Sequence, residues 1–287
     1  MQNLHLQKIK EQKWRYYNHA LLPTCAPHED AETELLKDKT IWKQFAPNRP
    51  LFACWTSHFD CKYETGWWYC ILDKPFDISA LKSKYRIKIN KAIQCFDVRI
   101  IDVNEYANQM FNVHKSAWKT YHKTGTFDTE YERFCKEIVQ WKGLVFGAFD
   151  KENNQLAAYY RVKVNPTHID LVTLKSDPDF EKKRVNLAIM YFVYNYFNFA
   201  IEQGKYLCGG NRNVYHQTNF QEFREQHFGF RKAYTHLHIQ YAPFVILIIK
   251  LLYPFRKIIK KLPFTFANQL SGVLLMEEIC NDVPFSD

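Results

Sequence analysis

None of the loops that usually announce a nucleotide, a catalytic metal or an acyl-enzyme is found in this sequence. Gly-x-x-x-x-Gly-Lys, Gly-x-Gly-x-x-Gly, His-Glu-x-x-His and Gly-x-Ser-x-Gly are all missing, so P-loop, Rossmann, zincin and serine-hydrolase chemistry lose their usual support. Glycine is scarce, 9 in 287 residues, and with 11 prolines this leaves little room for long flexible loops. There is no internal repeat and no low-complexity linker. No stretch of the ~20 apolar residues needed to span a bilayer occurs. Asn186–Ile201 is uncharged but short, and its three Asn and several Tyr predict a buried core helix.

The eight cysteines form no Cys-x-x-Cys pair, and Met1–Lys13 is polar and basic rather than a secretory apolar run. Together these predict free thiols in a reducing, cytoplasmic compartment. Cys54, His58, Cys61 and Cys70 stand close enough to weigh as zinc ligands. The aromatic, strand-like sequence around them favours core packing, and no metal is expected.

What the chain does have is aromatic bulk and positive charge. It carries 23 Phe, 18 Tyr and 7 Trp, and a formal charge of +9 with a pI near 9.0. Such a field favours anionic partners: nucleic acid, acidic lipid headgroups or a phosphate-bearing cofactor.

Period and turn chemistry give an α/β order, more closely α+β. Leu51–Trp55 and Gly66–Leu72 read as strands, and Asp77 as the cap of a helix from Ile78 into Ala92. Val98–Ile101 follows as a strand, then amphipathic helices over Asn104–Tyr121 and Thr129–Trp141. Leu144–Phe149, Leu156–Val164 and His168–Leu174 form an antiparallel meander joined by turn-rich Asp150–Asn154 and Asn165–Thr167. A helix from Val185 to Gln203, a short strand ending at Gly209–Gly210, a helix from Thr218 to Phe228 and a strand from Ala233 to Gln240 complete it. Beyond Ala242 the chain is intensely apolar, then basic at Lys250, Arg256, Lys257, Lys260 and Lys261. That pattern suits an element lying on an acidic membrane surface, or a helix packed on the core.

Three places could carry chemistry. Lys182, Lys183 and Arg184 lead into the helix at Val185, where unpaired N–H groups and the cations would seat a pyrophosphate. Gly210, Asn211 and Arg212 end a strand and could orient polar substrate groups, with His216 as a base near neutral pH. Lys84, Arg86 and Lys88 cluster on one helix with Lys82 and Lys91, a grip for a phosphate-rich acceptor or a tRNA backbone, or a solvated face.

The order of elements resembles the GNAT acyltransferase fold over roughly Trp67–Tyr241. Leu81–Lys82–Ser83–Lys84–Tyr85–Arg86 running on to Lys91–Ala92 resembles the Ser-Lys-x-Arg…Lys-Ala helix of Fem-type envelope transferases. Asn186–Leu187, Leu207–Cys208–Gly209–Gly210 and His227–Phe228–Gly229–Phe230 are similar to that group's central helix, glycine-ended strand and Gly-Phe ending. The resemblance implies a reduced N-terminal half over 1–80, a transferase domain over 81–241 and a basic apolar segment over 242–287. It also implies an acyl donor held in a splay between the meander's last strand, ending near Leu174, and Tyr206–Gly210, with its pyrophosphate at Lys183–Ala188. Asn186 stands where the family places a glycine, leaving aminoacyl-tRNA beside acyl-CoA as donor. Glu225 occupies the place of the family's acidic Tyr. Tyr160 and Arg161 alternate along the second meander strand, so one of them should reach the cleft. The implied function is an N-acyltransferase acting by direct transfer on an amine of a cell-envelope or surface-polysaccharide precursor. A catalytically degenerate module of the same fold, binding membrane or nucleic acid, is the rival.

Overall fold

In the computed structural model, residues 13–43, 49–121, 129–214, 220–263 and 265–282 are described. Two short strands come first, β1 (Trp14–Tyr17) and β2 (Ala20–Pro23), then β3 (Phe52–Ser57) and β4 (Trp67–Leu72). Helix α1 (Ser83–Cys95) and strand β5 (Phe96–Ile100) lead to α2 (Ala107–Tyr121) and α3 (Tyr131–Ile138). The meander is β6 (Leu144–Asp150), β7 (Leu156–Val164) and β8 (His168–Ser176). After it come α4 (Val185–Tyr196), α5 (Asn198–Glu202), β9 (Tyr206–Asn211), α6 (Phe220–Phe228) and β10 (Arg231–Tyr241). Helices α7 (Pro243–Leu252), α8 (Arg256–Ile259) and α9 (Thr265–Asn281) close the series. The result is the mixed sheet with an antiparallel meander and flanking helices expected of a GNAT-like fold.

Two compact units divide the chain. The first takes Met1–Tyr69, Asn211–Thr218 and Lys232–Asp287; the second takes Cys70–Gly210 and Asn219–Arg231. These units do not follow the division at 80/81 and 241/242 read from the sequence.

In the second unit the strands run β9-β8-β7-β6-β5, antiparallel except for β8 with β9. Helix α4 is apolar on nearly every side, with Val185, Ala188, Ile189, Met190, Val193 and Tyr194 buried and Phe192 and Tyr196 left exposed. It packs between α1 and strands β5–β7.

In the first unit β1 pairs antiparallel with β2, β2 parallel with β3, and β3 antiparallel with β10. Its core joins Trp14, Leu21 and Trp42 to Val245, Ile249 and Leu274. The segment beyond 242 therefore shares a core with the N-terminal stretch instead of trailing as a tail.

Two element boundaries differ from expectation for a local reason. Asp77 accepts from Ser79 N at 2.7 Å and closes only a short 3-10 turn, Ile78–Ala80. The chain is extended at Lys82 before α1 begins at Ser83, because the Asp side chain offers the backbone a turn in place of a helix. The helix expected from Val185 to Gln203 is broken at Phe197. There Asn198 brackets the backbone of Phe76, accepting from its N–H at 2.7 Å and donating to its carbonyl at 2.8 Å.

Candidate functional site

Strands β8 and β9 pair over only a short length. His168, Ile169 and Asp170 face Tyr206, Leu207 and Cys208; past those rungs β8 continues to Ser176 and β9 to Asn211. On its other edge β8 carries a bulge. Arg161 pairs with Thr173 and Val162 with Leu171, leaving Val172 with no counterpart on β7. A bulge of this kind bends a strand and re-aims its side chains. The splay and the bulge thus coincide on one strand.

The far end of β9 is shaped around a buried arginine. Arg224 on α6 donates to the Gly209 carbonyl at 2.9 Å and to the Tyr160 hydroxyl at 2.7 Å, with its guanidinium 4.3 Å from the Phe220 ring centre. A Cβ on residue 209 would lie 2.4 Å from Arg224 Nη1, so only glycine admits this bond. Gly210 adopts φ +91°, which also favours glycine. Burial works against the Arg224 charge, but the Tyr160 and Tyr194 phenols outweigh it and hold the cation.

A cavity of about 540 Å³ opens on the opposite face of β7 and β8, under α2 and α3. Arg161 from β7 and Lys175 from β8 enter it, with His114 from α2, Arg133 and Glu137 from α3, and Trp141. The strand's period of two explains the first of these: Tyr160 turns into the core and Arg161 into the cavity. Helix α3 buries Phe134 and Ile138 four residues apart, which brings Arg133 and Glu137 round together to the neighbouring face. Arg161 stacks on Trp141 at 4.8 Å, and its buried Nε has no hydrogen-bond partner among the described residues. Burial pulls the Arg161 and Lys175 pKa values down, with Glu137 opposing the shift at Arg161. Burial, helped by Lys175, also lowers His114 against the pull of Glu137. Three cations thus meet one carboxylate beside an imidazole held toward its neutral form. Such a cavity suits an anionic group, with a proton acceptor beside it.

Of the residues read from sequence, Arg161 and Leu174 line this cavity. Tyr160 serves the core instead. Gly210 and Asn211 are exposed at the end of β9, and Glu225 is half-buried on α6. At the start of α4, Lys182 and Arg184 are exposed, Arg184 in the left-handed region at φ 61°. The Lys183 charge is met by Asp150 at 2.9 Å and Glu152 at 2.7 Å, so it is not a free member of a pyrophosphate seat. Asn186 keeps a buried Oδ1 that lacks a hydrogen-bond partner among the described residues. Lys84 lies 4.9 Å over the Tyr85 ring, and Arg86 donates to the Ser79 carbonyl at 3.3 Å; neither lines the cavity. Arg212 belongs to the first unit, bonded to the Gly66 carbonyl and stacked 4.7 Å over Trp68. His216 lies outside the described residues.

His114, Arg133, Glu137, Trp141 and Lys175 escaped the sequence reading. The one available signal was the i, i+4 charge pair on α3, which looks the same on any solvated helix.

No family model matches the chain, and no curated protein matches its sequence. Among solved structures the chain is similar to the C-terminal domain of a lysylphosphatidylglycerol synthetase from Agrobacterium fabrum, 11% identical, covering 83% of this chain and 84% of that one at a TM-score of 0.47. It is similar in the same degree to L-PGS from Bacillus licheniformis, at 10% identity, 83% and 84% coverage and a TM-score of 0.47. FemX matches at 11% identity over 63% of each chain with a TM-score of 0.43. Each of these three TM-scores lies below 0.5.

Proposed function

We propose that the chain is an N-acyltransferase of Fem-like kind, moving an acyl or aminoacyl group to an amine of a cell-envelope lipid or peptide precursor. The observation that carries this is the coincidence on β8 of the splay from β9, the bulge at Val172 and the cationic cavity beyond it. The splay offers strand backbone to a donor, and the cavity offers Arg161, Lys175 and Arg133 to an anionic acceptor.

In the reaction the acceptor nitrogen attacks the donor carbonyl carbon, and backbone N–H groups of the splayed strand stabilise the oxyanion. The carrier's C–S or C–O bond breaks as the new C–N bond persists. The proton lost by the amine passes to an imidazole, for which His114 is placed in the cavity, and returns to the leaving thiol or hydroxyl. The donor is acyl-CoA or aminoacyl-tRNA. Engagement of Lys183 by two carboxylates weighs toward the tRNA-linked donor. The setting is the cytoplasmic face of the membrane.

Thermal-shift titration with acetyl-CoA, longer acyl-CoAs, free CoA and a set of aminoacyl-tRNAs tests it. A donor at 100-fold over its Kd adds about 2.7 kcal/mol of stability. A shift with any donor, reduced in none of its size by Arg161→Met but accompanied by lost turnover in that variant, is the expected result. Silence with every donor sinks the transferase reading.

A further inference from the structure

The helix after β10 has two apolar faces, and folding uses only one of them. Val245, Ile249 and Ile259 are buried in the core of the first unit. On the other side Phe244, Leu247, Ile248, Leu251, Phe255 and Ile258 recur at helical spacing across α7 and α8 and stay in solvent. Leu247 is 69% exposed, Leu251 70% and Ile258 63%, so this is not the scattered apolar exposure of an ordinary surface.

Its charge is equally one-sided. Lys250, Lys257, Lys260 and Lys261 are exposed beside the apolar side chains, while Arg256 is paired with Glu278 at 3.0 Å. No Asp or Glu occurs in the sequence between Glu225 and Glu277. We propose that this face of α7–α8 docks the protein on an anionic phospholipid bilayer. The leucines, isoleucines and phenylalanines enter the headgroup–acyl boundary and the lysines meet lipid phosphates. No helix among the described residues is long and apolar enough to cross a membrane, so the element lies on the surface instead of spanning it. Charge argues against a second copy as occupant: a two-fold contact would set the same lysines against each other. The surface stands on its own geometry and does not depend on the transfer chemistry.

Co-sedimentation of the full chain with vesicles of phosphatidylcholine, alone or mixed with phosphatidylglycerol, tests this. Binding to the mixed vesicles, little binding to the neutral ones and release by salt are expected. Leu247→Asp with Leu251→Asp, and separately Lys257→Glu with Lys260→Glu, should each weaken partitioning by roughly tenfold or more. Because all four side chains are exposed, the melting temperature should hold, which separates lost docking from lost folding. Unchanged binding in both variants, equal binding to neutral vesicles, or a chain dimer that the same substitutions dissolve would overturn the proposal. Donor binding in the thermal-shift titration should persist in both variants, so the two readings fail separately.

Discussion

At Gly209 a missing side chain decides the shape of a strand end. Arg224 Nη1 occupies the place a Cβ would take, and that arginine is held at both ends by the Gly209 carbonyl and Tyr160. Gly209→Ala should therefore cost about 1–3 kcal/mol through overpacking, read as a lower urea midpoint with an unchanged slope. Tyr160→Phe removes the hydroxyl that accepts from the buried guanidinium and should cost about 1.5–3 kcal/mol. Arg161, one residue on, behaves differently: in the proposed transfer reaction Arg161→Met should lower turnover about 10–100-fold, the value of a lost charged hydrogen bond, with little change in stability. Period two made the divergence of these neighbours legible in the sequence, though not which of them would face a cavity.

The histidines act in concert with pH. Burial, the largest cause in each case, pushes His114, His227, His236 and His238 below the usual imidazole value, helped by neighbouring lysines or histidines. The unfolded chain then binds protons at a higher pH than the folded one. Stability from these groups is complete above ~6.5 and is lost as pH falls through the lowered folded values. Melting temperature should drop between pH 7 and pH 5 beyond the loss seen in a variant with His114→Gln, His227→Gln and His238→Gln.

Among the elements, the meander was the most readable because strand-length apolar runs bounded by the turn-rich stretches Asp150–Asn154 and Asn165–Pro166–Thr167 mark it directly. The bulge at Val172 was not, since nothing local distinguishes Leu171–Val172–Thr173 from a regular strand; the partner β7 creates the mismatch. The break after α4 was hidden for a similar reason. Asn198 looks like a neutral residue in a helix until Phe76, far away in sequence, presents a backbone N–H and carbonyl for it to bracket. Asn198→Ala leaves both groups without that partner and should cost about 1–3 kcal/mol, with amide exchange at Phe76 rising ahead of its neighbours. The cavity was illegible for the same physical reason: Arg133, Glu137 and Lys175 become a site only when α2 settles on β7 and β8 with α3 packed against it.

For the whole molecule, the apolar run beyond Ala242 was visible in the sequence, but its double use was not. The smaller part of it completes a core and the larger part faces solvent. Removing residues after Tyr241 should consequently do more than abolish membrane contact: it strips Val245, Ile249 and Leu274 from around Trp14 and Leu21. Such a truncation should lose its first unit, seen as missing cooperative signal in calorimetry, where the exposed-face substitutions keep it. The same sharing sets an order in time. On the ribosome Trp14, Leu21 and Trp42 emerge long before the side chains that cover them, whereas the second unit has nearly all its parts by residue 210. The earlier stretch must wait, uncovered, for the later one, and that interval is when a chaperone has most to do for this protein.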